Sequence, residues 1–407
     1  MLNVAIMGHG TVGSGVAEIL FNNKNISSSI NEDFNIKYIL DIRDFDGLSY
    51  ADKFTKDFND ILNDDSVKIV AEVMGGLSPA YEFVKQLLEK GKSVVTSNKE
   101  LVAAKGDELL RIAKENNVNF LFEASVGGGI PIIRPLSSCL AANNINKITG
   151  ILNGTTKYIL NKMIVDNMDF DSALQLAQSK GFAERNPAAD IEGHDACRKI
   201  CILASLAFGR HVYPDQVKTE GITNITLRDV EYANNFNCVI KLICQTEKIS
   251  EENISASVQP MLVSRDNIIS DVDGVFNAIM VNGDAVGDVL FYGKGAGKMA
   301  TASAVVADII DCANHHIQRK NIGWESALEN YVITPDSKTR LYVLAKAKDF
   351  DYLYKNFKTL FPDNTWNVKN DYEGEIAFIT NEDFESILRN KINKLSADSI
   401  KIMKTLL

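Results

Sequence analysis

The chain has 407 residues, of which 45% are hydrophobic and 24% are charged, so it is long and apolar enough to form two or three packed domains. Its formal net charge of −10 gives an acidic surface that repels phosphate backbones and anionic lipid, and we expect neither a nucleic-acid nor a membrane partner. No apolar run approaches the roughly 18 residues of a membrane-spanning helix, and the N-terminus has no signal-like segment, so we expect a cytoplasmic protein. The six cysteines form no C-x-x-C pair and are expected to be reduced and mostly buried.

The first third of the chain alternates short apolar runs with helical patterns. Strands are predicted at 2–7, 36–40, 67–73, 93–96 and 120–122, and helices at 14–20, 80–89 and 106–116. Strands that alternate with helices form a parallel sheet with right-handed crossovers. Residues 1–130 are therefore predicted to form an α/β domain of the Rossmann type, a doubly wound parallel sheet.

The remaining two thirds change character. Residues 131–320 mix strand and helix patterns, which predicts an α+β domain whose sheet is covered by helices. A helix at about 298–316 follows a second glycine-rich stretch and is expected to return and pack on the first domain. In residues 338–407 the predicted order is strand, helix, strand, strand, helix, strand, which is typical of a small ferredoxin-like domain.

Three glycines near the N-terminus, Gly8, Gly10 and Gly13, are spaced as G-x-G-x-x-G between a predicted strand and a predicted helix. In this context the first permits a tight turn, the second lets a pyrophosphate approach the backbone, and the third lets the helix pack on the strand. The pattern predicts a dinucleotide site at the helix N-terminus. The end of the second strand carries both Asp41, suited to a ribose hydroxyl, and Arg43, suited to a 2′-phosphate, so NAD and NADP both stay open.

A lysine, Lys99, follows the predicted strand at 93–96. The carboxyl ends of parallel strands line the ligand crevice of such sheets, so this lysine could reach a cofactor or a substrate carboxylate. A solvated surface lysine is the alternative, and position alone does not decide between the two.

The densest group of chemically useful residues lies between 177 and 199. A proline and a glycine in 184–194 break any helix there, so Glu184 and Asp190 are predicted to lie on a loop. Asp195 and Lys199 are four residues apart on a predicted helix and share one face. They could form an exposed ion pair, or, in a dry cleft, the aspartate could orient a lysine that exchanges a proton with a substrate.

This segment resembles the signature of the homoserine dehydrogenase family. The blocks GHGTVGSGV, TSNKELVA, EASVGGGIPIIRPL, LNGTTKYIL and GKGAGKMATASAVVAD are also similar to that family, in the same order, over roughly residues 1–320. The residues that fit the signature are Ala177, Gly181, Phe182, Ala183, Asn186, Pro187, Asp190, Ile191, Gly193, Asp195 and Lys199.

The resemblance implies reversible hydride transfer between L-homoserine and L-aspartate 4-semialdehyde with NAD or NADP, in the biosynthesis of threonine, methionine and isoleucine. It implies that Lys199 is the proton donor, that Asp195 binds and orients beside it, and that Lys99 is a second catalytic group. Glu184 would hold the substrate ammonium group, with Asp190 as a further substrate contact. The residues expected to contact the cofactor are Gly8, Gly10, Thr11, Val12, Gly13, Arg43, Thr96, Ser97, Lys99, Gly181, Gly295 and Gly297.

The resemblance also implies a monovalent cation, such as sodium, and a homo-oligomer. One carboxylate and backbone carbonyls would bind the ion through Glu123, Val126, Gly128 and Ile130. A dimer, or a larger assembly, is expected to form through the middle region. The chain begins at its first predicted strand, so no aspartate kinase domain is expected before it.

The C-terminal residues resemble an ACT regulatory domain in element order only. ACT domains usually place a glycine between the first strand and the first helix, and the corresponding turn here, residues 346–351, has none. Threonine feedback, another effector and assembly are all open roles for this region.

Two other functions compete with this interpretation. An aspartate-semialdehyde dehydrogenase would need an activated cysteine paired with a base, and Cys139 has no histidine signature nearby. A catalytically inactive NAD(P)-sensing regulatory protein of the same fold is the non-enzymatic alternative. The joint presence of Glu184, Asp195, Lys199 and Lys99 argues against it.

Overall fold

The N-terminal part of the computed structural model is a parallel sheet, and the structure describes residues 2–22, 34–315, 319–363, 368–369 and 372–407. The sheet has the order β3-β2-β1-β4-β5-β6 among the described residues, so the predicted doubly wound α/β fold is confirmed. Its central strands are apolar on both faces because helices cover both sides. The strands are β1 (Leu2–Met7), β2 (Phe34–Leu40), β3 (Phe54–Thr55), β4 (Val67–Glu72), β5 (Ser93–Thr96) and β6 (Phe120–Leu121). The helices are α1 (Thr11–Asn22), α2 (Phe58–Leu62), α3 (Ala80–Glu89) and α4 (Lys99–Glu115).

One helix of this unit begins earlier than predicted. The helical pattern indicated a start near Gly106, but α4 starts at Lys99 because the Asn98 side chain accepts the N–H of Leu101 at 3.1 Å and caps the first turn. Lys99 is therefore the first residue of a helix at the carboxyl end of β5.

The middle part is a mixed sheet covered by helices, as predicted. Its strands are β7 (Ile145–Ile151), β8 (Lys218–Thr219), β9 (Cys238–Lys248), β10 (Ile254–Ser264), β11 (Phe276–Gly283) and β12 (Gly287–Lys294). Its helices are α5 (Gly154–Val165), α6 (Phe170–Ser179), α7 (Ala188–Ile191), α8 (His194–Phe208), α9 (Leu227–Asn235) and α10 (Lys298–Asn314). Short 3₁₀ turns lie at Ala51–Lys53, Glu123–Ser125, Pro214–Gln216 and Ile268–Asp271, and a π turn lies at Pro135–Cys139.

The predicted returning helix is α10, and it packs on α1 of the first unit. A Cβ placed on Gly15 of α1 would lie 2.9 Å from the Cβ of Ala302, so the two helices approach closely where both side chains are small. Lys298 and Glu18 form an ion pair of 2.7 Å at the edge of the same contact. The first unit is thus closed by a helix from much later in the chain.

The C-terminal elements continue the sheet of the middle part. They are β13 (Lys338–Thr339), β14 (Leu341–Lys346), α11 (Phe350–Leu360), β15 (Val368–Lys369), β16 (Glu375–Ile379), β17 (Asp383–Phe384), α12 (Glu385–Ile392) and β18 (Ser399–Leu406). The sheet order is β12-β11-β7-β9-β10-β18-β14-β16-β15, in which β18 runs parallel to β10. This region has a small core of its own around Leu353, Phe357 and Phe378. The predicted order of four strands and two helices is present, with the two-residue strands β13 and β17 in addition, while an ACT-like regulatory role stays a prediction.

Residues 316–318, at the end of the predicted returning helix, lie outside the described residues, and so do residues 365–367 of the strand predicted at 365–368. Among the helices that the structure describes, none combines the length and the apolar character needed to cross a membrane. Five of the cysteines are buried free thiols and Cys139 is exposed.

Candidate active site

The glycine-rich turn joins β1 to α1 and forms one wall of a cleft. Gly8 has a φ of +98° and faces Met74, whose side chain would lie 3.0 Å from a Cβ at this position. A Cβ on Gly13 would overlap the carbonyl oxygen of Gly8, so only glycine lets the helix start so close to the turn. Around Gly10 no atom lies within 4 Å of a Cβ position, which leaves the backbone open to a ligand. The turn has the shape that a pyrophosphate requires.

A cavity of about 530 Å³ opens beside this turn, at the carboxyl ends of β1, β2 and β4. Asp41 lines it and accepts the His9 N–H at 2.7 Å and two guanidinium N–H groups of Arg43 at 2.9 Å. The guanidinium of Arg43 holds the pKa of Asp41 well below its usual range. On the other side, Phe58 and Phe83 stack with ring centroids 3.9 Å apart. A dinucleotide fits this cleft, which combines the glycine turn, the charged end of β2 and the aromatic wall.

A second group of polar residues meets on the carboxylate of Asp195, which is 4% exposed in the first turn of α8. The Lys199 Nζ donates to Oδ2 at 2.7 Å, and the Lys99 Nζ lies 2.5 Å from Oδ1. Lys199 also donates to the carbonyl oxygen of Leu152 at 2.8 Å. Burial opposes ionisation of Asp195, but the ammonium groups of Lys199 and Lys99 outweigh it and hold the pKa of Asp195 well below its usual range. Two lysines from two parts of the chain therefore share one buried, charged carboxylate.

An asparagine ties this cluster to its surroundings. Asn153 caps α5 by accepting the N–H of Thr156 at 2.8 Å, and its amide nitrogen donates to Asp195 Oδ2 at 2.9 Å and to Asp190 Oδ1 at 2.6 Å. Because the cap fixes the amide, the donor group of Asn153 is held toward both carboxylates. Asp190 is thereby joined to the Asp195 cluster.

Comparison with known proteins identifies the family to which this cleft and cluster belong. The family model for homoserine dehydrogenase matches residues 131–310, and the model for the homoserine dehydrogenase NAD binding domain matches residues 8–123. The homoserine dehydrogenase of Lactococcus lactis is 35% identical over 399 residues, which cover 96% of this chain and 89% of the relative. The chain belongs to the homoserine dehydrogenase family.

Solved structures of homoserine dehydrogenases have the same fold. The enzyme from Thiobacillus denitrificans aligns with a TM-score of 0.87 at 32% identity, covering 99% of this chain and 98% of its own. A hyperthermophilic archaeal homoserine dehydrogenase, solved in complex with NADPH, aligns with a TM-score of 0.65 at 32% identity and covers 76% of this chain and 97% of its own. The protein is thus an oxidoreductase with an NAD(P)-binding domain and homoserine dehydrogenase function, and the alternative of an inactive sensor has no support.

The other residues predicted to contact the substrate lie at different places. Asp190 is not on a loop as predicted, because residues Ala188–Ile191 close one helical turn, α7, after Pro187. The Glu184 side chain is exposed on the turn before it, and its backbone carbonyl accepts from Gln178 at 3.0 Å. The structure therefore joins Asp190, but not the Glu184 carboxylate, to the Asp195 cluster.

Of the other residues expected to contact the cofactor, some lie in open turns and one packs against the protein. Thr11 and Val12 open α1, and Gly181, with a φ of +74°, follows α6 in an exposed turn. Gly297, with a φ of +119°, precedes α10, whereas a Cβ on Gly295 would overlap the Asn277 side chain. Packing against Asn277 is therefore enough to require glycine at position 295.

Two further expected contacts follow β5. Thr96 is 1% exposed and its hydroxyl donates to Glu72 at 2.6 Å, so this side chain is used inside the protein. The Ser97 N–H lies 3.4 Å from the carbonyl oxygen of Glu72.

The Glu123 carboxylate does not fit its predicted role as a cation ligand. Glu123 is 1% exposed, and its two oxygens accept the backbone N–H groups of Ile132, Ile133 and Arg134 at 2.6–2.9 Å and the Arg134 Nε at 3.2 Å. These four donors occupy the carboxylate, which closes the loop between residues 123 and 134 instead of facing an ion. Val126, Gly128 and Ile130 lie on this loop, where only carbonyl oxygens are left as ligands. Within the described residues, no cluster of histidine, cysteine and acidic side chains could hold a metal.

Sequence reasoning missed Asn153 as a site residue. It lies in the block LNGTTKYIL, and an asparagine directly before a helix is typical of an N-cap. That signal predicts the cap, but the second role depends on α8 being folded beside α5.

Proposed function

We propose that Lys199 gives the proton to the alkoxide oxygen that forms when L-aspartate 4-semialdehyde is reduced to L-homoserine. When bound, the reduced nicotinamide supplies the hydride for the aldehyde carbon. A lysine ammonium has three donors, and Lys199 uses two of them on Asp195 and Leu152. The third donor is left for a substrate oxygen, and this is the observation that carries the proposal.

Asp195 and Lys99 are proposed to complete the reaction centre. The charged carboxylate of Asp195 holds both ammonium groups in place, and such fixed cations stabilise the negative charge that develops in the reaction. The Lys99 side chain is 40% exposed, so its free donors face outward from the cluster toward bound ligands. The zwitterionic substrate also needs anions for its ammonium group, and Asp190 and Glu184 are proposed for that role.

For the cofactor, we propose a preference for NADP over NAD. The Asp41 carboxylate already accepts four N–H groups, one from the His9 backbone and three from Arg43, and has little capacity left for ribose hydroxyls. Arg43 and Lys56 line the same cavity, and their side chains are 57% and 58% exposed, which supports pairing with a 2′-phosphate.

A monovalent cation and a dimer are further proposals. A sodium ion would be held by the backbone carbonyl oxygens of the loop that carries Glu123, Val126, Gly128 and Ile130, in a structural role.

The proposed dimer would use the outer strands β11 and β12. Phe276 and Tyr292 stack there with centroids 4.9 Å apart, beside Val275, and Val275 and Tyr292 are more than half exposed.

The free thiols support a cytoplasmic location.

Turnover of L-aspartate 4-semialdehyde with NADPH and with NADH, followed by the absorbance of the reduced nicotinamide, tests the function and the cofactor preference together. We expect kcat/KM to be at least roughly tenfold higher with NADPH, and Arg43→Ala to lower only the NADPH value. Equal loss with both cofactors would contradict the role of Arg43. Folded protein that binds NADPH without turnover would contradict the function, and an added arm with L-threonine tests for an effector.

A further inference from the structure

A carboxylate that the mechanism above does not use, that of Glu72, lies beneath the cofactor cleft. Glu72 is the last residue of β4, has no solvent exposure, and is paired with Met7 of β1 and with Thr96 of β5. The neighbours β1 and β4 are where the strand order of the sheet reverses, and ligands of open α/β sheets bind outside the carboxyl ends of the strands at such a point.

One oxygen of Glu72 holds the wall of the cleft. Its Oε1 accepts the backbone N–H of Met74 at 2.9 Å and that of Gly75 at 3.3 Å. Both residues line the cofactor cavity, and Met74 directly faces the glycine turn, since a Cβ on Gly8 would lie 3.1 Å from the Met74 Cα. The position of this wall relative to the turn therefore depends on Glu72.

The other oxygen of Glu72 is connected by hydrogen bonds to the residue before Lys99. Oε2 accepts the Thr96 hydroxyl at 2.6 Å, and the same hydroxyl oxygen accepts the N–H of Asn98 at 2.9 Å. Asn98 is the N-cap of α4, and its amide nitrogen donates to the carbonyl oxygen of Gly76 at 2.6 Å. Lys99 is the next residue, so a chain of three hydrogen-bonded groups connects the buried carboxylate to the start of the helix that presents Lys99.

We propose that Glu72 is a positioning residue, which sets the cofactor wall at Met74 and Gly75 and the presentation of Lys99 in one network. Burial raises the pKa of Glu72, and the hydrogen bonds from Thr96, Met74 and Gly75 oppose that shift. The ionised carboxylate suits both arms because each oxygen only accepts hydrogen bonds. Glutamine would turn its amide donor toward one arm and leave a buried N–H or O–H group without its acceptor. The arm through Thr96 rests on the proposed role of Lys99, while the arm through Met74 does not.

The test uses Glu72→Gln, Thr96→Val and Thr96→Ser, with Glu82→Gln, an exposed acid on α3, as the control for loss of one charge. The measurements are the Kd of NADPH by fluorescence, kcat and KM for L-aspartate 4-semialdehyde. For Glu72→Gln we expect a roughly tenfold higher Kd for NADPH and a roughly tenfold lower kcat. Thr96→Val is expected to lower kcat with little change in Kd, and Thr96→Ser, which keeps the hydroxyl, to restore the wild-type kcat.

Glu72→Gln with wild-type Kd and kcat would overturn the proposal, and so would Thr96→Ser as impaired as Thr96→Val, because packing would then explain the loss. If Glu72→Gln does not fold, the two Thr96 variants still decide the second arm. If Lys99→Ala retains full kcat, the proposed role of Lys99 fails, and the Kd of Glu72→Gln for NADPH tests the first arm separately.

Discussion

Two buried aspartates of this enzyme pair with lysines, yet their surroundings differ. Asp195 uses both oxygens, and its partners Lys199 and Lys99 keep donors that are not spent on the protein. Asp229, with no exposure, uses Oδ2 for Lys401 of β18 and for the N–H and hydroxyl of Thr226.

The second cluster joins the C-terminal elements to helix α9. Beside Asp229, the guanidinium of Arg228 lies 3.1 Å from the ring centroid of Tyr372, whose hydroxyl donates to Glu231 at 2.7 Å.

The two clusters differ in what their lysines connect. Lys99 is 40% exposed beside Asp195, whereas Lys401 of β18 donates to Asp229 and to the carbonyl oxygen of Asn224 and so joins the C-terminal strand to the segment around α9. We therefore infer a role in chemistry for the first cluster and a role in docking for the second.

Neutralising each aspartate in turn tests whether the two clusters have different roles. Asp195→Asn should lower kcat at least about a hundredfold, because the two lysines lose the charge that fixes them, while the Kd of NADPH stays unchanged. Asp229→Asn is the matched control and should retain kcat while losing stability. Similar losses of kcat in the two variants would remove the distinction.

The docking role predicts a loss of stability without a loss of activity. Lys401→Met leaves the charge of Asp229 buried without its cation and should lower the free energy of unfolding by about 2 kcal/mol. Urea unfolding of this variant, beside the same substitution at the exposed Lys355, measures the difference. An unchanged midpoint for Lys401→Met would show that the C-terminal elements dock by other contacts.

A smaller effect is expected on the KM for the substrate when Glu184 is changed. Glu184→Gln should raise KM for L-homoserine roughly tenfold with little change in the KM of the cofactor, because only the ammonium group loses a charged partner. Glu192→Gln, which affects an exposed acid paired with His194, is the control. A normal KM for Glu184→Gln would exclude the carboxylate from the substrate site.

A pH-dependent effect is expected at Lys157, a buried lysine whose ammonium group donates to the oxygens of Phe276 and Asn277. Burial, and then the charge of Lys241, lower the pKa of Lys157 from 10.5 to about 8. Between these values the unfolded chain holds the proton that the folded one has lost. Stability therefore rises with pH in this window, by up to about 1.4 kcal/mol per pH unit.

Lys157→Gln should remove this contribution, and urea midpoints of both proteins from about pH 8 to about pH 10 measure it. The same pH slope in the two proteins would contradict the lowered pKa.

Local patterns predicted much of the fold and part of the site. The glycine spacing predicted the turn, because the close approach of Gly13 to the Gly8 carbonyl oxygen lies within one short segment. A spacing of four placed Asp195 and Lys199 on one helix face. The strand at 93–96 and the helix at 80–89 were predicted with the bounds that the structure has. These features depend on neighbours in the chain.

Contacts between distant segments were not predictable in this way. The pairing of Lys99 with Asp195 requires α4 and α8 to pack together, and nothing near either residue encodes it. The same holds for β18 beside β10, and for Glu123, whose apparent role as a cation ligand changes once its carboxylate meets the amides of residues 132–134. A single sequence shows which residues could act, and the fold decides which partners they meet.

A single-turnover experiment isolates the step in which Lys199 is proposed to donate the proton from the Asp195 cluster. The NADPH complexes of the wild type and of Lys199→Ala would be mixed with L-aspartate 4-semialdehyde, and the loss of reduced nicotinamide followed. In Lys199→Ala we expect hydride transfer to be about a thousandfold slower, with an unchanged Kd for NADPH. A rate close to that of the wild type, or a loss explained by weaker NADPH binding, would contradict it.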